Sequence, residues 1–255
     1  MNKKKILIIG SNDKFSLEKM YFRAFKSLGN KVSIYNVYNI QKNNLISKFL
    51  WKYLKFLFFI IYRFKLLKFF QKLNNKKFDI IIVFKGIFLD LATLEKCKNI
   101  TKDAFWANVF SDDPFNIKKF NDISNSNVLK SINFYDFYFI WSKELRTKLI
   151  NFSTKKKIFF LPFANDDFVH KEANIKKERK FDLSFVGTAD KKRFDFLKSF
   201  KKFKVIIAGN NWYRYNFDNN FKIIKKAINA SQNAKVIANS KISLNLLRKQ
   251  NEGSH

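Results

Sequence analysis

The chain has 255 residues, 47% of them hydrophobic, with 33 Phe and a formal charge of +31. That is enough to bury one large core or two ordinary ones. One cysteine, Cys97, excludes an internal disulfide and a multi-cysteine zinc site. Two histidines, His170 and His255, exclude a histidine-rich metal site and supply a Ser-His-Asp triad poorly. The charge invites a nucleic-acid reading, but the basic residues are nearly all Lys and run along the whole length, whereas a nucleic-acid binder concentrates them on one face. Lys, Asn, Ile and Phe are inflated together while Gly and Pro are scarce, a joint bias that suits an AT-rich coding sequence.

Lys5–Gly10 reads as a buried strand, followed by the loop Gly10-Ser11-Asn12-Asp13. The apolar run Ile6–Ile9 is too short for a signal peptide, which predicts a cytoplasmic protein. Ser16 is placed to cap a helix with Met20, Phe22, Phe25 and Leu28 apolar, stopped by Gly29-Asn30. Val32–Tyr35 is the next strand. Strand, loop, helix, strand is the usual opening of a doubly wound sheet. Neither GxGxxG nor GxxxxGK[ST] occurs, which argues against a dehydrogenase or a P-loop ATPase.

Asn44–Leu73 is a long, apolar, basic helical stretch. Its lysines and Arg63 break it too often for a membrane span. Two readings stand: a helix covering the sheet, or a basic amphipathic helix touching an anionic membrane from the cytoplasmic side.

Phe78–Phe84 is a continuous apolar strand ending at Lys85-Gly86. Leu91–Cys97 is a short helix. Phe105–Phe110 is a strand broken by Ser111-Asp112-Asp113-Pro114, Phe137–Trp141 another, Ser142 a cap for the helix Lys143–Ile150, and Ile158–Leu161 a further strand. Asn165–Lys180 has no period and reads as linker.

At Phe181 the βαβ pattern restarts, which predicts a domain 1–165, a linker 166–180 and a second domain 181–255. Asp182–Val186 ends at Gly187-Thr188. Asp190 is placed to cap a helix carrying Phe194, Leu197, Phe200 and Phe203, and Lys204–Ala208 ends at Gly209-Asn210. Ligands of such sheets bind beyond the carboxyl ends of the strands, which singles out these two glycine loops. After the aromatic loop Tyr213–Phe217 the sequence predicts weak helix at Ile224–Ile228, a helix at Ser231–Asn239 and a strand at Lys241–Leu246, giving a second domain of about three strands.

In this order the stretches FDIIIVFKG (Phe78–Gly86), FSDDP (Phe110–Pro114), FIWS (Phe139–Ser142), FVGT (Phe185–Thr188) with Arg193, GNNW (Gly209–Trp212), SKISLN (Ser240–Asn245) and the segment Arg248–His255 resemble the CgeB-like (spore-maturation) glycosyltransferases of GT-B fold. The resemblance implies an α/β protein of two Rossmann-like domains, the second incomplete: in the family the equivalent of His255 continues into Met-Arg-x-Phe-Glu, whose glutamate is expected to bind the donor ribose. It implies a hexosyltransferase moving a sugar from a nucleotide-sugar, a co-substrate rather than a cofactor, to a glycan or lipid-linked acceptor, with no metal. The donor would meet the second domain and the acceptor the first.

Gly187 and Thr188 would let backbone amides approach phosphate, and Arg193 would reach the diphosphate. Gly209 and Trp212 would bracket base or sugar, with Lys241, Asn245 and His255 nearby. Ser11, Asn12, Asp13, Lys85 and Gly86 would line the acceptor side. Asp112 or Asp113 would be the general base of an inverting enzyme, mutual repulsion raising one pKa. The bland alternatives are turns, caps, a solvated arginine and a core tryptophan. Two rival functions remain: a non-catalytic nucleotide- or sugar-binding relative, and a basic nucleic-acid binder with a steep salt dependence.

Overall fold

A computed structural model describes residues 2–37, 55–73, 77–115, 123–154, 157–169 and 178–246. The described residues divide into two compact units, one within 2–164 and the other within 165–246.

The first unit is a six-stranded, all-parallel sheet. Its strands are β1 (Lys5–Gly10), β2 (Lys31–Asn36), β3 (Ile80–Phe84), β4 (Phe105–Phe110), β5 (Phe137–Ile140) and β6 (Ile158–Phe160), in the spatial order β2-β1-β3-β4-β5-β6. Strand order reverses between β1 and β3, the switch point at which open α/β sheets place their ligands. The near-continuous apolar strands fit burial on both faces. Leu7, Ile9, Ile81, Val83 and Trp106 join one core, Ile6, Ile8, Ile82, Phe84 and Ala107 the other. Helix α1 (Leu17–Ser27) covers the second face with Tyr21, Phe22 and Phe25. The first face is covered by α2 (Lys55–Gln71), α3 (Leu91–Ile100), α4 (Ile123–Lys130) and α5 (Lys143–Phe152).

Caps fix where these helices start. The Ser16 hydroxyl accepts from Lys19 N at 3.2 Å and the Ser142 hydroxyl from Leu145 N at 3.3 Å, both as the sequence predicts. Asp90 caps α3, accepting from Thr93 N, and is also bound by Arg63 of α2 at 2.8 Å. In α2 the residues Phe58, Phe59, Tyr62, Leu66 and Phe70 recur every three or four positions and are buried, so this helix does cover the sheet. The expected helical residues 44–54 lie outside the described residues.

The second unit is a four-stranded parallel sheet of β7 (Phe181–Val186), β8 (Val205–Ala208), β9 (Phe221–Ile224) and β10 (Ser240–Leu244), in the order β10-β7-β8-β9. Its strand order reverses at β7, between β10 and β8. Helix α6 (Lys191–Lys198) packs Phe194 and Leu197 on the core of Leu183, Phe185, Val205, Ile207 and Trp212. Helix α7 (Ala230–Ala238) starts on a reciprocal Asn229–Gln232 capping box.

Two sequence expectations need correction. Phe221–Ile224 is an edge strand, so the sheet has four strands, and Ile224–Ile228 is not helical. The four residues FKII are too short for periodicity to tell strand from helix. Helix α6 ends at Lys198, so Phe200 and Phe203 follow it rather than belong to it.

Candidate functional site

The carboxyl edge of the first sheet gathers three loops. After β1, Ser11 is buried, its hydroxyl accepts from Asp13 N at 3.1 Å, and its carbonyl accepts from Ser16 Oγ. Lys19 Nζ donates to Asn12 Oδ1 at 2.9 Å. Beneath this turn lies Glu18, a residue the sequence reading did not single out. Its carboxylate accepts the Ser11 amide at 3.0 Å, and a Cβ on Gly10 would come within 2.5 Å of its Cγ. The glycine is required here by the carboxylate.

After β3, Lys85 and Gly86 both hold positive φ, 61° and 73°. For a lysine this costs about 1 kcal/mol. The conformation sends Lys85 Nζ to Asp112 Oδ2 at 2.7 Å, across the gap between the β3 and β4 loops. Asp112 therefore faces a cation. Asp113 accepts Phe115 N at 2.9 Å, the turn chemistry expected before and after Pro114. The two carboxylates have different partners, the Lys85 ammonium for Asp112 and the Phe115 amide for Asp113.

Under Gly86 lies a buried polar pair, Asn108 of β4 and Tyr135. A Cβ on Gly86 would stand 3.3 Å from the Tyr135 hydroxyl and 3.5 Å from Asn108 Nδ2. Burial pushes the Tyr135 phenol upward, opposed by its hydrogen bond with Asn108. Asn108 Oδ1 has no partner among the described residues. The signal in the sequence was one amide near the end of the otherwise apolar strand FWANVF. Cys97 is buried, and burial pushes its thiol up to about 12, away from thiolate character.

The carboxyl edge of the second sheet is held by Arg193. From the first turn of α6 its Nη1 donates to Thr188 O at 2.8 Å and its Nη2 to Leu246 O at 2.5 Å. Those carbonyls follow β7 and β10, so the guanidinium bridges the switch point of this sheet. It also stacks over Phe185 at 5.3 Å and pairs with the cap residue Asp190 at 3.5 Å. It is a largely buried clamp on two loops, not the solvated helix residue of the bland alternative.

The glycine loops are packed against each other. Gly209 has φ 147°, and a Cβ there would lie 1.9 Å from Gly187 O. Trp212 is fully buried, and its indole N–H donates to Gly187 O at 2.8 Å. This corrects the expectation that Trp212 brackets a base or sugar: the ring is core, enclosed by Phe185, Tyr215 and Phe217, and its polar edge holds the Gly187 loop in place. The Gly187 amide donates to Ala208 O and the Ala189 amide to Asn210 O. The Thr188 amide makes no hydrogen bond among the described residues, so it is the one this loop can offer to an anion.

Asn245, just past β10, is exposed at the same edge. Lys241 is not there. Register pairs Ser240 with Phe181, which puts Lys241 at the amino end of the sheet, where it binds Asp182 at 2.8 Å. The strand spacing explains the miss, since a motif of six residues spans a whole strand and its two ends face opposite edges. His255 lies outside the described residues. Among the described residues, no three His, Cys, Asp or Glu side chains converge to hold a metal ion.

No protein-family model and no curated protein matches this sequence. Solved structures do match in fold. An alpha-glucosyltransferase in complex with UDP and a 13-mer DNA containing a HMU base matches over 98% of this chain and 74% of its own, with 13% identity and a TM-score of 0.57. The UDP-GlcNAc 2-epimerase of Methanocaldococcus jannaschii matches over 94% and 77%, with 12% identity and a TM-score of 0.56. Anabaena Alr3699/HepE in complex with UDP and glucose matches over 88% and 70%, with 12% identity and a TM-score of 0.52. The fold is α/β with two parallel, Rossmann-like sheets of GT-B type.

Proposed function

We propose that this chain is a glycosyltransferase that moves a sugar from a nucleotide-sugar to a glycan or glycolipid-type acceptor, without a metal ion and on the cytoplasmic side. The finer family reading is CgeB-like, and it rests on the ordered motifs alone. One observation carries the proposal. The two switch points have the same topology but opposite buried charges, Glu18 in the first and Arg193 in the second. A diphosphate is repelled by the first and attracted by the second. UDP is the nucleotide to try first, because fold neighbours were solved with it.

In this reading Thr188 N–H and Arg193 meet the diphosphate, and Gly187, Gly209 and Trp212 hold the loop that presents them. Asn245 borders the same site. The acceptor lies against Ser11, Asn12, Asp13, Lys85 and Gly86. Asp112 takes the proton of the acceptor hydroxyl as its oxygen bonds the anomeric carbon. The bond from that carbon to the diphosphate breaks, and the nucleoside diphosphate leaves with its electron pair. Lys85 keeps Asp112 oriented. Asp113 stays committed to its turn.

The test is a panel of UDP-sugars with candidate acceptors, duplex DNA included because one neighbour was solved with DNA. Acceptor-dependent release of UDP is the expected result. A second reading follows from the epimerase neighbour: a UDP-sugar epimerase would change the sugar without any acceptor. Absence of binding to every nucleotide tried would overturn both.

A further inference from the structure

Helix α2 has two apolar faces. One is buried on the sheet. On the other, Phe56, Leu57, Ile60, Ile61 and Phe64 are exposed, from 39% for Leu57 to 65% for Phe64. At about 100° per residue these five cover an arc of about 140°, opposite the buried residues. Exposed Phe and Ile occur elsewhere on the chain, but here they are contiguous on one rigid element, the pattern that marks an interaction surface. Immediately beyond them on the outward side come Lys65, Lys68 and Lys72, all exposed. Arg63 is turned inward, to Asp90 and to Phe88 O.

Along the chain, the charge around this helix has one sign, and Asp90 of α3 meets it on the inward side, paired with Arg63. Between Glu18 and Asp79 the sequence contains no Asp or Glu, so every charged side chain of that interval is Lys or Arg. A surface that joins bulky apolar side chains to unopposed lysines fits a layer whose outside is anionic and whose inside is hydrocarbon. It fits a second copy of this chain less well, because a symmetric pairing would bring two basic surfaces together. No helix among the described residues is long and apolar enough to cross a membrane. We propose that the outward face of α2 is a docking surface for an anionic lipid bilayer, with Phe56, Leu57, Ile60, Ile61 and Phe64 entering the interfacial zone and Lys65, Lys68 and Lys72 meeting the headgroups. The helix lies on the bilayer, buried some 5–10 Å into its boundary. The inference does not depend on sugar transfer, since vesicle binding needs no nucleotide.

The experiment is co-sedimentation of the full chain with vesicles of phosphatidylcholine alone and with vesicles containing phosphatidylglycerol. Binding is expected only with the anionic lipid and is lost as salt rises. Ile60→Asp with Phe64→Asp should weaken it by more than about tenfold. Lys65→Gln and Lys68→Gln should each weaken it about fivefold. Melting temperature should be unchanged in all of them. Equal binding by the variants and the parent overturns the proposal. So does conversion of a dimer to a monomer by Phe64→Asp with vesicle binding intact, which would make a second copy the occupant. A melting temperature lowered by the aspartates, with the lysine variants binding normally, also overturns it, because the face would then be covered by the chain itself.

Discussion

The loops after β1 and after β7 are built alike and charged oppositely. Each follows a buried parallel strand, turns on a glycine at a switch point and enters a helix capped by a side-chain oxygen. In the first, Glu18 reaches back from the helix to take the Ser11 amide. In the second, Arg193 reaches back to hold the Thr188 and Leu246 carbonyls. The carboxylate consumes a donor that a phosphate would have used and adds a negative charge. The guanidinium consumes acceptors and leaves the Thr188 amide available. The two loops thus share a fold position and differ in the one charged side chain that reaches back into each, which is what the proposed donor site rests on.

The largest expected effect is at Gly209. Gly209→Ala would drive a methyl into the Gly187 carbonyl, and only a shift of the whole loop relieves it. Loss of about 4 kcal/mol or more is expected in denaturant unfolding of the second unit, with no equivalent loss from alanine at the unobstructed Gly29 beyond its positive-φ strain. Trp212→Phe keeps most of the core but leaves Gly187 O without its donor. It should cost about 2 kcal/mol and loosen nucleotide binding as well, by calorimetry.

Smaller effects are expected elsewhere in the first unit. Lys85→Gly relieves a left-handed lysine while removing the partner of Asp112. Stability should rise by about 1 kcal/mol while sugar transfer falls, a combination that a purely structural lysine would not give. Asp90 gives the smallest effect. Burial alone would raise its pKa, but the Thr93 hydrogen bonds and the Arg63 charge outweigh burial and hold it below the usual carboxylate value. Its contribution is therefore complete above about pH 4, the unfolded range, and is lost as pH falls through the lower folded value. Asp90→Asn should flatten that part of the stability curve, measured by thermal melts from neutral to acid pH.

Much of this fold was legible because parallel strands buried on both faces read as apolar runs, and Ser16, Ser142 and Asp190 announce their helices. The strand FKII at Phe221–Ile224 was not legible, since four residues with a lysine inside carry no decisive period. The site was legible as loops and not as roles. Gly187, Gly209 and Trp212 stood out as a ligand pattern, yet the structure uses their spacing to lock two loops together. Glu18 was hidden because an acid in a first helical turn is ordinary dipole chemistry. Only its reach back to Ser11 distinguishes it. Lys241 looked like a site residue because sequence proximity to Asn245 conceals that a strand separates them.

The most direct test is calorimetric titration of UDP into the parent chain, Arg193→Gln and Glu18→Gln. The account predicts binding to the parent, at least about tenfold weaker binding to Arg193→Gln, and no loss with Glu18→Gln, whose amide oxygen still accepts from Ser11. Unchanged affinity in Arg193→Gln together with weakened affinity in Glu18→Gln would contradict it, because the nucleotide would then be sitting in the first loop.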